Sequence, residues 1–427
     1  MSFEQVDVHI FDTTLRDGAQ SLPRDHQFPV GSRTEIADKI AGLGVGEIEA
    51  GFPVTPGDAT EVEEVARTIG NKAYSVSRWE QAELSGEVTR PPVIAGLSRT
   101  TQGDIEATWE AIQYASRPRI HTFVSTDPEH MAAKFPGKSQ TQVLNMGRDA
   151  IRMARDFSDE HTGASVEFSA EAASTTDTEY LERVIRTAVS EGADIINLPD
   201  TVGQRNPFWM KDFYSKAIEW IRSENPDVVI SAHNHNDLGM AAANSYALLL
   251  AAADAAQKSQ SRVNIQIEGT ICGLGERAGN ADIFTVMGEI YKFVGDLAVP
   301  VTWGFNPEKS VQIANDVMGY AGLSVDRQNP IVGRDTMVHR SGIHSDGVIK
   351  GGHQIYTPHD PTFWGHREQA VHEEGRYQGK AGRAAARKSI SQIGASDLRE
   401  VIDGTVNPDE HDYDGFENEL RAAGVTI

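Results

Sequence analysis

The feature that most constrains the fold of this chain is an alternation, repeated eight times, of a short β-rich run with a segment of helical periodicity. The helical segments end as helices often do, and RTEIADKIAGLG, for example, reaches a glycine at Gly44. The runs predicted to be strands are 6–12, 46–52, 93–98, 119–126, 165–171, 194–200, 228–235 and 263–270. Eight such units predict an α/β fold of the (β/α)8 TIM-barrel type, whereas a doubly wound open sheet more often has about five or six strands.

The alternation stops near residue 300, which indicates a second domain. We therefore expect a catalytic TIM barrel over residues 1–300 and a mainly helical C-terminal accessory subdomain over residues 301–427. The second segment contains a helical pattern at 308–321 and a stretch rich in glycine and histidine at 333–353.

Charge and composition exclude several classes of function. The 62 acidic and 39 basic residues give a formal charge of −23, which repels nucleic acid. A membrane role is also excluded, because the sequence lacks an apolar run of about 18 residues. The single cysteine, Cys272, cannot form an intrachain disulfide, and the N-terminal segment lacks the pattern of a secretory signal, so we expect a cytoplasmic protein.

The strongest candidate site lies at the predicted strand ends, because the active site of a TIM barrel forms at the carboxyl ends of its strands. His233 and His235 close the seventh predicted strand, and the strand period of two places both side chains on one face. Asp17 follows the first strand in the motif DTTLRDG. Two imidazoles and a carboxylate with open positions are typical of a catalytic metal site. An isolated HxH pair is more often a surface or packing feature, so the other strand ends decide the interpretation.

Those other strand ends are also polar. Glu49 follows the second strand, where a buried carboxylate needs a cationic partner, and Arg16 is the nearest candidate. Asn280, in the glycine-rich loop after the eighth strand, could supply an oxygen ligand or orient one. Asp237, in contrast, is predicted to be the N-cap of the helix that follows the seventh strand. Strands four to six add His121, Ser169, Glu171 and Thr201 at or near their ends.

Five motifs identify a family resemblance. DTTLRDG, EAGFP, HNHNDLGMA, GLGERAGN and HRSGIHSDGVIK follow one another in this order along most of the chain. Together they resemble the metal-dependent Claisen-condensing TIM barrels, a family that includes isopropylmalate, homocitrate and citramalate synthases and 3-hydroxy-3-methylglutaryl-CoA lyase. The isopropylmalate branch is the most similar. The resemblance implies that acetyl-CoA and 2-oxoisovalerate condense to 2-isopropylmalate and free CoA, a step of leucine biosynthesis.

The resemblance also implies roles for individual residues. The expected metal ligands are Asp17, His233, His235 and Asn280; the expected substrate-binding residues are Arg16, His121, Ser169 and Thr201; and the expected catalytic residues are Arg16, Glu49, Glu171, His344 and Tyr356. His344 is the expected base for the methyl group of acetyl-CoA, since histidine serves this role well near neutral pH. The cofactor is expected to be a divalent ion such as Mg, Mn, Zn or Co. A homodimer is implied, because the segment after the barrel reaches the partner subunit's barrel in this family.

The sequence departs from the family in two ways and leaves two alternative functions. Little sequence follows the last motif, so a leucine-binding regulatory domain is not expected, and Ala19 stands where many relatives have a glutamate in DGEQS. A citramalate or homocitrate synthase, which uses another 2-oxo acid, stays open, because a one-methylene difference in a pocket is worth only about 1–3 kcal/mol. The second alternative is a catalytically inert metal-binding scaffold.

Overall fold

A computed structural model describes residues 4–336, 338–339 and 341–366. The chain divides into two compact units, Met1–Val325 and Asp326–Ile427. The strands are β1 (Gln5–Asp12), β2 (Glu47–Gly51), β3 (Tyr74–Glu80), β4 (Glu83–Arg90), β5 (Val93–Arg99), β6 (Pro118–Ser125), β7 (Ser165–Glu171), β8 (Ile195–Asn197), β9 (Val229–Ala232), β10 (Arg262–Gly269) and β11 (Val301–Gly304). The helices are α1 (Ala19–Ser21), α2 (Arg33–Gly42), α3 (Pro56–Thr68), α4 (Gln102–Ile112), α5 (Pro128–Lys134), α6 (Gln140–Ser158), α7 (Thr178–Ser190), α8 (Pro207–Glu224), α9 (Ala241–Ser259), α10 (Ile283–Phe293), α11 (Ser310–Tyr320) and α12 (Gly342–Gly351).

Eight parallel strands close into a barrel in the order β1, β2, β5, β6, β7, β8, β9 and β10. The ring is closed by β10 and β1, which pair in register from Gln5 with Arg262 to Asp12 with Gly269. Strand residues are buried in near-continuous runs, as in all five residues of β2, because helices cover the outside and side chains fill the inside. The predicted (β/α)8 barrel is confirmed.

The outer helices begin at capping residues and pack one apolar stripe on the barrel. In α6, Ser139 and Gln142 form a capping box that satisfies backbone amides of the first turn. In α7, a stripe with helical spacing is buried, and it includes Tyr180, Val184 and Ala188. These helices fix the strands, and therefore also fix where the loops at the strand ends begin.

A three-stranded extension departs from the predicted pattern. Strand β11 pairs in parallel with the first half of β1, and the hairpin of β3 and β4 continues the sheet beyond it. All eight residues of β4 are exposed, so the strand has no apolar side whose period the sequence could reveal. Because β11 lies within the first unit, this unit extends past residue 300; the division into the two predicted domains stays a prediction.

Two local predictions need correction. Strands β8 and β9 are shorter than the predicted runs 194–200 and 228–235, so His233 and His235 directly follow a strand rather than belonging to it. The prediction that Asp237 is a helix N-cap is wrong, because α9 begins at Ala241 and its N-cap residue, Met240, makes no side-chain cap. The amide of Ala241 instead donates a hydrogen bond to Oδ1 of Asn236 at 3.2 Å.

The described part of the second unit is built from α12 and two short 3-10 helices, His353–Ile355 and Pro361–Trp364. Trp364 is buried, and its ring meets that of Phe363 edge to face. Among the helices of the described residues, none combines the length and the apolar character needed to cross a bilayer.

Candidate active site

Asp17, His233 and His235 come together at the carboxyl-terminal mouth of the barrel. Asp17 lies in a short π-helical turn, Thr14–Gly18, that follows β1, while the two histidines follow β9. All three side chains are buried, and each offers a ligand atom within 4.8 Å of the others. These three residues were expected from the sequence to lie close together, and the structure brings them together.

The spacing of these three side chains fits a single metal ion. The Nε2 atoms of His233 and His235 are 3.2 Å apart, and Nε2 of His233 is 3.7 Å from Oδ2 of Asp17. An ion that lies about 2.0–2.2 Å from nitrogen and carboxylate donors spans separations of this size. Two imidazoles and one carboxylate leave coordination positions for a substrate, as catalytic sites require.

The protonation states of the cluster also suit a cation. Burial and the neighbouring His233 lower the pKa of His235 to about 4. Burial likewise lowers the pKa of His233, so both imidazoles are neutral near pH 7 and can offer a lone pair. Burial alone would raise the pKa of Asp17, but the Arg16 guanidinium and the histidines hold it well below its usual range. The cluster therefore presents an anion and two neutral nitrogens.

Glu268 at the end of β10 orients His233. Its Oε2 lies 3.0 Å from Nδ1 of His233, and the Ser231 hydroxyl donates to its other oxygen at 3.1 Å. A carboxylate on Nδ1 fixes the tautomer that leaves Nε2 as the metal-binding atom, and it raises the basicity of the ring. Glu268 was not predicted from the sequence, although its place at the end of the eighth barrel strand was a usable signal.

Replacing Glu268 with glutamine is expected to weaken divalent-metal binding by about 10–100-fold, the usual effect of losing such a partner. The neutral amide keeps the shape of the side chain but removes the negative charge facing His233. Calorimetric titration of metal-free protein with Mn²⁺ measures the change. Ser231→Ala, which keeps the carboxylate, is the control and should have a smaller effect; equal affinities of Glu268→Gln and wild type would rule out this role.

Asn280 supports Asp17 in this structure. Its Nδ2 donates to Oδ2 of Asp17 at 2.6 Å and to the carbonyl of Leu274 at 3.0 Å. Its Oδ1 is buried and has no hydrogen-bond partner within the described chain. The predicted role of Asn280 as a direct ligand stays a prediction, and its position beside Asp17 is compatible with orienting that ligand.

A chain of charged and polar contacts continues from Asp17 around the mouth. Arg16 donates to Oδ1 of Asp17 at 2.8 Å and to Oε2 of Glu49 at 2.5 Å. The other Glu49 oxygen lies 2.7 Å from Nδ1 of His121, whose Nε2 is 2.7 Å from the hydroxyl of Ser169. Burial would lower the pKa of His121, but the carboxylates of Glu167 and Glu49 raise it to about 9. A protonated His121 donates from both nitrogens, which leaves the Ser169 proton to be donated into the cavity.

His121, Glu167 and Glu268 form a second group with metal-ligand spacing. Both ring nitrogens of His121 already have partners, in Glu49 and Ser169. Oε2 of Glu268 lies 3.0 Å from Nδ1 of His233, and Oε2 of Glu167 accepts a hydrogen bond from Arg119 at 3.1 Å, so these carboxylate oxygens also have partners already. The group around Asp17 is therefore the better candidate for an ion.

The cluster of Asp17, His233 and His235 borders a cavity of about 280 Å³ at the mouth of the barrel. Its lining includes Arg16, Asp17, His121, Ser169, Glu171, Thr201, His233 and His235, which were predicted from the sequence, and Gln20, Phe52, Leu97, Phe123, Asn197, Pro199 and Glu268, which were not. Most of the missed residues lie at strand ends, but several are apolar and so escaped a search for polar groups. Phe52, Leu97 and Phe123 give one part of the cavity an apolar surface.

Glu171 and Thr201 are each held by neighbours. Glu171 forms an ion pair with Lys134 of α5, in which Nζ lies 2.7 Å from Oε2, and it also accepts a hydrogen bond from the Ser125 hydroxyl. The Thr201 hydroxyl accepts a hydrogen bond from the amide of Ala172 at 3.0 Å. Lys134 was not predicted. Its ammonium group balances the negative charge of Glu171 beside the cavity.

His344 and Tyr356 belong to the second unit, where their rings stack with centroids 4.1 Å apart and an interplanar angle of 15°. His339 packs near both rings, with centroids 5.8 and 5.9 Å away. His344 lies on α12 and is exposed. Both residues were predicted to be catalytic; their rings are in contact, and their catalytic roles stay predictions.

The fold and the cluster define a class: a (β/α)8 barrel with a candidate metal site at the carboxyl ends of its strands. The chain belongs to the HMGL-like family, whose model matches residues 7–317. The sequence is 38% identical to a 2-isopropylmalate synthase of Pelotomaculum thermopropionicum over 80% of this chain and 60% of that protein. It is 35% identical to methylthioalkylmalate synthase 1 of Arabidopsis thaliana over 83% of this chain and 64% of that protein. The chain thus spans about three fifths of the length of these relatives.

Solved structures support the fold. An HMG-CoA lyase from Acinetobacter baumannii, determined with coenzyme A and 3-methylmalate, superposes with a TM-score of 0.55. The match covers 78% of this chain and 96% of that one, at 18% sequence identity. At this level of sequence identity, the similarity shows a shared fold.

Proposed function

We propose that this chain is an acyltransferase of the 2-isopropylmalate synthase type. It condenses acetyl-CoA with 2-oxoisovalerate, and water then hydrolyses the thioester to give 2-isopropylmalate and free CoA, the first committed step of leucine biosynthesis. The proposal includes a divalent metal cofactor. A cytoplasmic homodimer stays a prediction from the sequence.

One observation carries the proposal: the convergence of Asp17, His233 and His235 beside a cavity that is part charged and part apolar. The charged part suits the carboxylate and keto group of a 2-oxo acid. The apolar part, with Leu97 and Phe123, suits a branched alkyl group. The identity to relatives named for the same reaction supports the choice of substrate.

A divalent ion held by Asp17, His233 and His235 would act as a Lewis acid toward the 2-oxo acid. Arg16 points its guanidinium at the same region and is held there by Glu49 at 2.5 Å and Asp17 at 2.8 Å. It can therefore stabilise the negative charge that grows on the keto oxygen as the carbon–carbon bond forms. The hydroxyl of Ser169 can donate to the substrate carboxylate, because His121 and Asn197 already donate to its oxygen.

A base must also remove a proton from the methyl group of acetyl-CoA. We propose His344 for this role, with Tyr356 stacked on it and Glu171 assisting at the cavity. The proton passes to the imidazole, and the carbanion electrons form the new bond to the keto carbon. Hydrolysis of the thioester then releases the thiol of CoA.

Thiol release tests the proposal directly. Purified protein is mixed with acetyl-CoA, Mn²⁺ and one of a panel of 2-oxo acids, and a colorimetric reagent detects free CoA, with a chelator as control. We expect release with 2-oxoisovalerate that the chelator abolishes. Preference for pyruvate would indicate a citramalate synthase, and preference for 2-oxoglutarate would indicate a homocitrate synthase. Preference for a longer methylthio-substituted acid would indicate the reaction for which the Arabidopsis relative is named. No release with any acid would favour an inert scaffold.

Replacing His344 with alanine is expected to lower kcat by about 10²–10⁴-fold, the contribution typical of a general base. Metal and 2-oxo acid binding should persist, because the residues proposed for both belong to the barrel. Calorimetry with Mn²⁺ and 2-oxoisovalerate measures binding, and thiol release measures turnover.

His359→Ala is the matched control, since His359 is another histidine of the second unit and packs edge to face on Trp364. It should leave kcat within about threefold of wild type. If His344→Ala no longer bound the 2-oxo acid, or turned over normally, the proposed base would be wrong.

A further inference from the structure

Arg277 connects three loops at the mouth of the barrel. Its Nε and Nη2 donate to the two carboxylate oxygens of Asp237 at 2.7 and 2.8 Å, and Nη2 also donates to the carbonyl of Thr201 at 2.7 Å. These residues belong to the loops after β10, β9 and β8. The same loops carry His235, which the proposed function assigns to the metal, and Asn280 and Thr201, which the family resemblance predicts to bind the metal and the 2-oxo acid.

Among the contacts of the described residues, no other role is evident for Arg277 or Asp237. The N-terminus of α9 does not need Asp237, because Asn236 serves the amide of Ala241. Neither residue lines the cavity, so neither is expected to touch the substrate. Arg277 and Asp237 are partly exposed, with side-chain exposures of 45% and 25%, so they add little to the core.

The backbone around the pair is arranged at a conformational cost. Arg277 has a φ of 58°, in the left-handed region that non-glycine residues rarely occupy. Gly203 has a φ of 65°, and a Cβ atom there would lie 2.6 Å from Oδ2 of Asp237 and 2.8 Å from the carbonyl of His235. The loops after β8 and β9 are thus packed too closely for any side chain at this glycine. Strain of this kind persists where the surrounding contacts hold a functional geometry.

We propose that Arg277 and Asp237 form a loop clamp, a pair of positioning residues that holds His235 and Thr201 where the metal ion and the 2-oxo acid bind. A bidentate pairing fixes both distance and angle, which a single hydrogen bond would not. His235 precedes Asp237 by two residues, so rotation of the Asp237 backbone displaces the imidazole directly. The inference rests on the proposed function, because it gives the clamp a metal site to align.

The test compares Arg277→Gln, Asp237→Asn and the double variant, each as the full chain. Mn²⁺ binding to metal-free protein is measured by calorimetry, and kcat and KM for 2-oxoisovalerate by thiol release. Each single variant should lose about tenfold or more in Mn²⁺ affinity, as when a partner behind a metal ligand is removed, and should show a raised KM. The double variant should be no worse than Arg277→Gln alone, because Asp237→Asn weakens only an interaction that Arg277→Gln already removes. Arg277→Lys keeps the positive charge but cannot make the bidentate hydrogen bonds of a guanidinium, so it should recover only part of the loss.

Arg152→Gln is the matched control. Arg152 of α6 makes a similarly exposed pairing with Glu191, Nη2 to Oε1 at 2.7 Å, on the outside of the barrel. It should change neither Mn²⁺ affinity nor KM. Wild-type values in Arg277→Gln and Asp237→Asn, or losses that multiply in the double variant, would overturn the clamp alone. A wild-type protein that binds no divalent ion would overturn the proposed function, and the clamp with it.

Discussion

Replacing His235 with alanine is expected to abolish detectable thiol release and to weaken divalent-metal binding by at least about 10³-fold. In the proposed metal site the imidazole is one of three protein donors, and its Nε2 lies 3.2 Å from Nε2 of His233, so its removal would leave a two-donor site. A site with only one nitrogen and one carboxylate no longer fixes the ion against water competition. Calorimetric titration with Mn²⁺ and the thiol assay measure the two losses separately.

The matched control for His235→Ala is His161→Ala. His161 lies between α6 and β7, at the opposite end of the strands, and its ring contacts Trp109 edge to face. Its removal should change stability slightly and metal binding not at all. If His235→Ala kept near-wild-type turnover with the metal content unchanged, His235 would not be a ligand and the cluster would need another explanation.

The barrel was predictable because its signal repeats along the chain. Each strand is a short β-rich run, and each helix has one apolar stripe, so errors in single elements do not change the count of units. The hairpin β3–β4 was not predictable in the same way. Its outer strand buries no residue, so only the backbone hydrogen bonds to β3 define it, and these leave no periodic pattern of apolar side chains.

The central part of the candidate site was predictable because three of its residues follow strands directly. The carboxyl ends of the parallel strands all lie at one rim of the barrel. Residues that follow these ends, such as Asp17, His233 and His235, therefore come close together. Contacts between distant loops were not predictable. Nothing in the sequence near Asp237 shows that its partner is Arg277, and a capping role was the natural expectation for an aspartate before a helix.

Apolar lining residues were missed for a different reason. Leu97 and Phe123 occupy strand positions where an apolar residue is expected whether it faces the core or the cavity. Only the tilt and register of the strands decide between the two environments. Under the proposed function, substrate selectivity would therefore depend on a part of the site that a search for chemically reactive residues does not detect.

Replacing Arg16 with methionine is expected to lower kcat by about 10²–10³-fold, the loss typical of removing one donor to a developing oxyanion. Arg16 pairs with Glu49 and Asp17 inside the barrel, so the variant also leaves a buried Glu49 with His121 as its remaining ionic partner. Breaking a buried ion pair costs about 3–5 kcal/mol, so a lower melting temperature accompanies the kinetic loss. Thiol release at saturating 2-oxoisovalerate, measured below the melting transition, gives kcat.

Two further variants separate the electrostatic role of Arg16 from a loss of stability. Arg16→Lys keeps a positive charge but offers one point of attachment, so it should restore the melting temperature more than it restores kcat. Arg155→Met removes a partly buried arginine that donates to the carbonyl of Gly192 at 2.7 Å on the outside of the barrel, and it should lower stability while kcat stays unchanged. If kcat fell equally in the Arg16 and Arg155 variants, or if Arg16→Met kept kcat within about fivefold of wild type, charge stabilisation by Arg16 would be excluded. A large fall in kcat confined to Arg16 would instead locate the growing negative charge beside the guanidinium, because no other change among these variants removes a cation from the cavity.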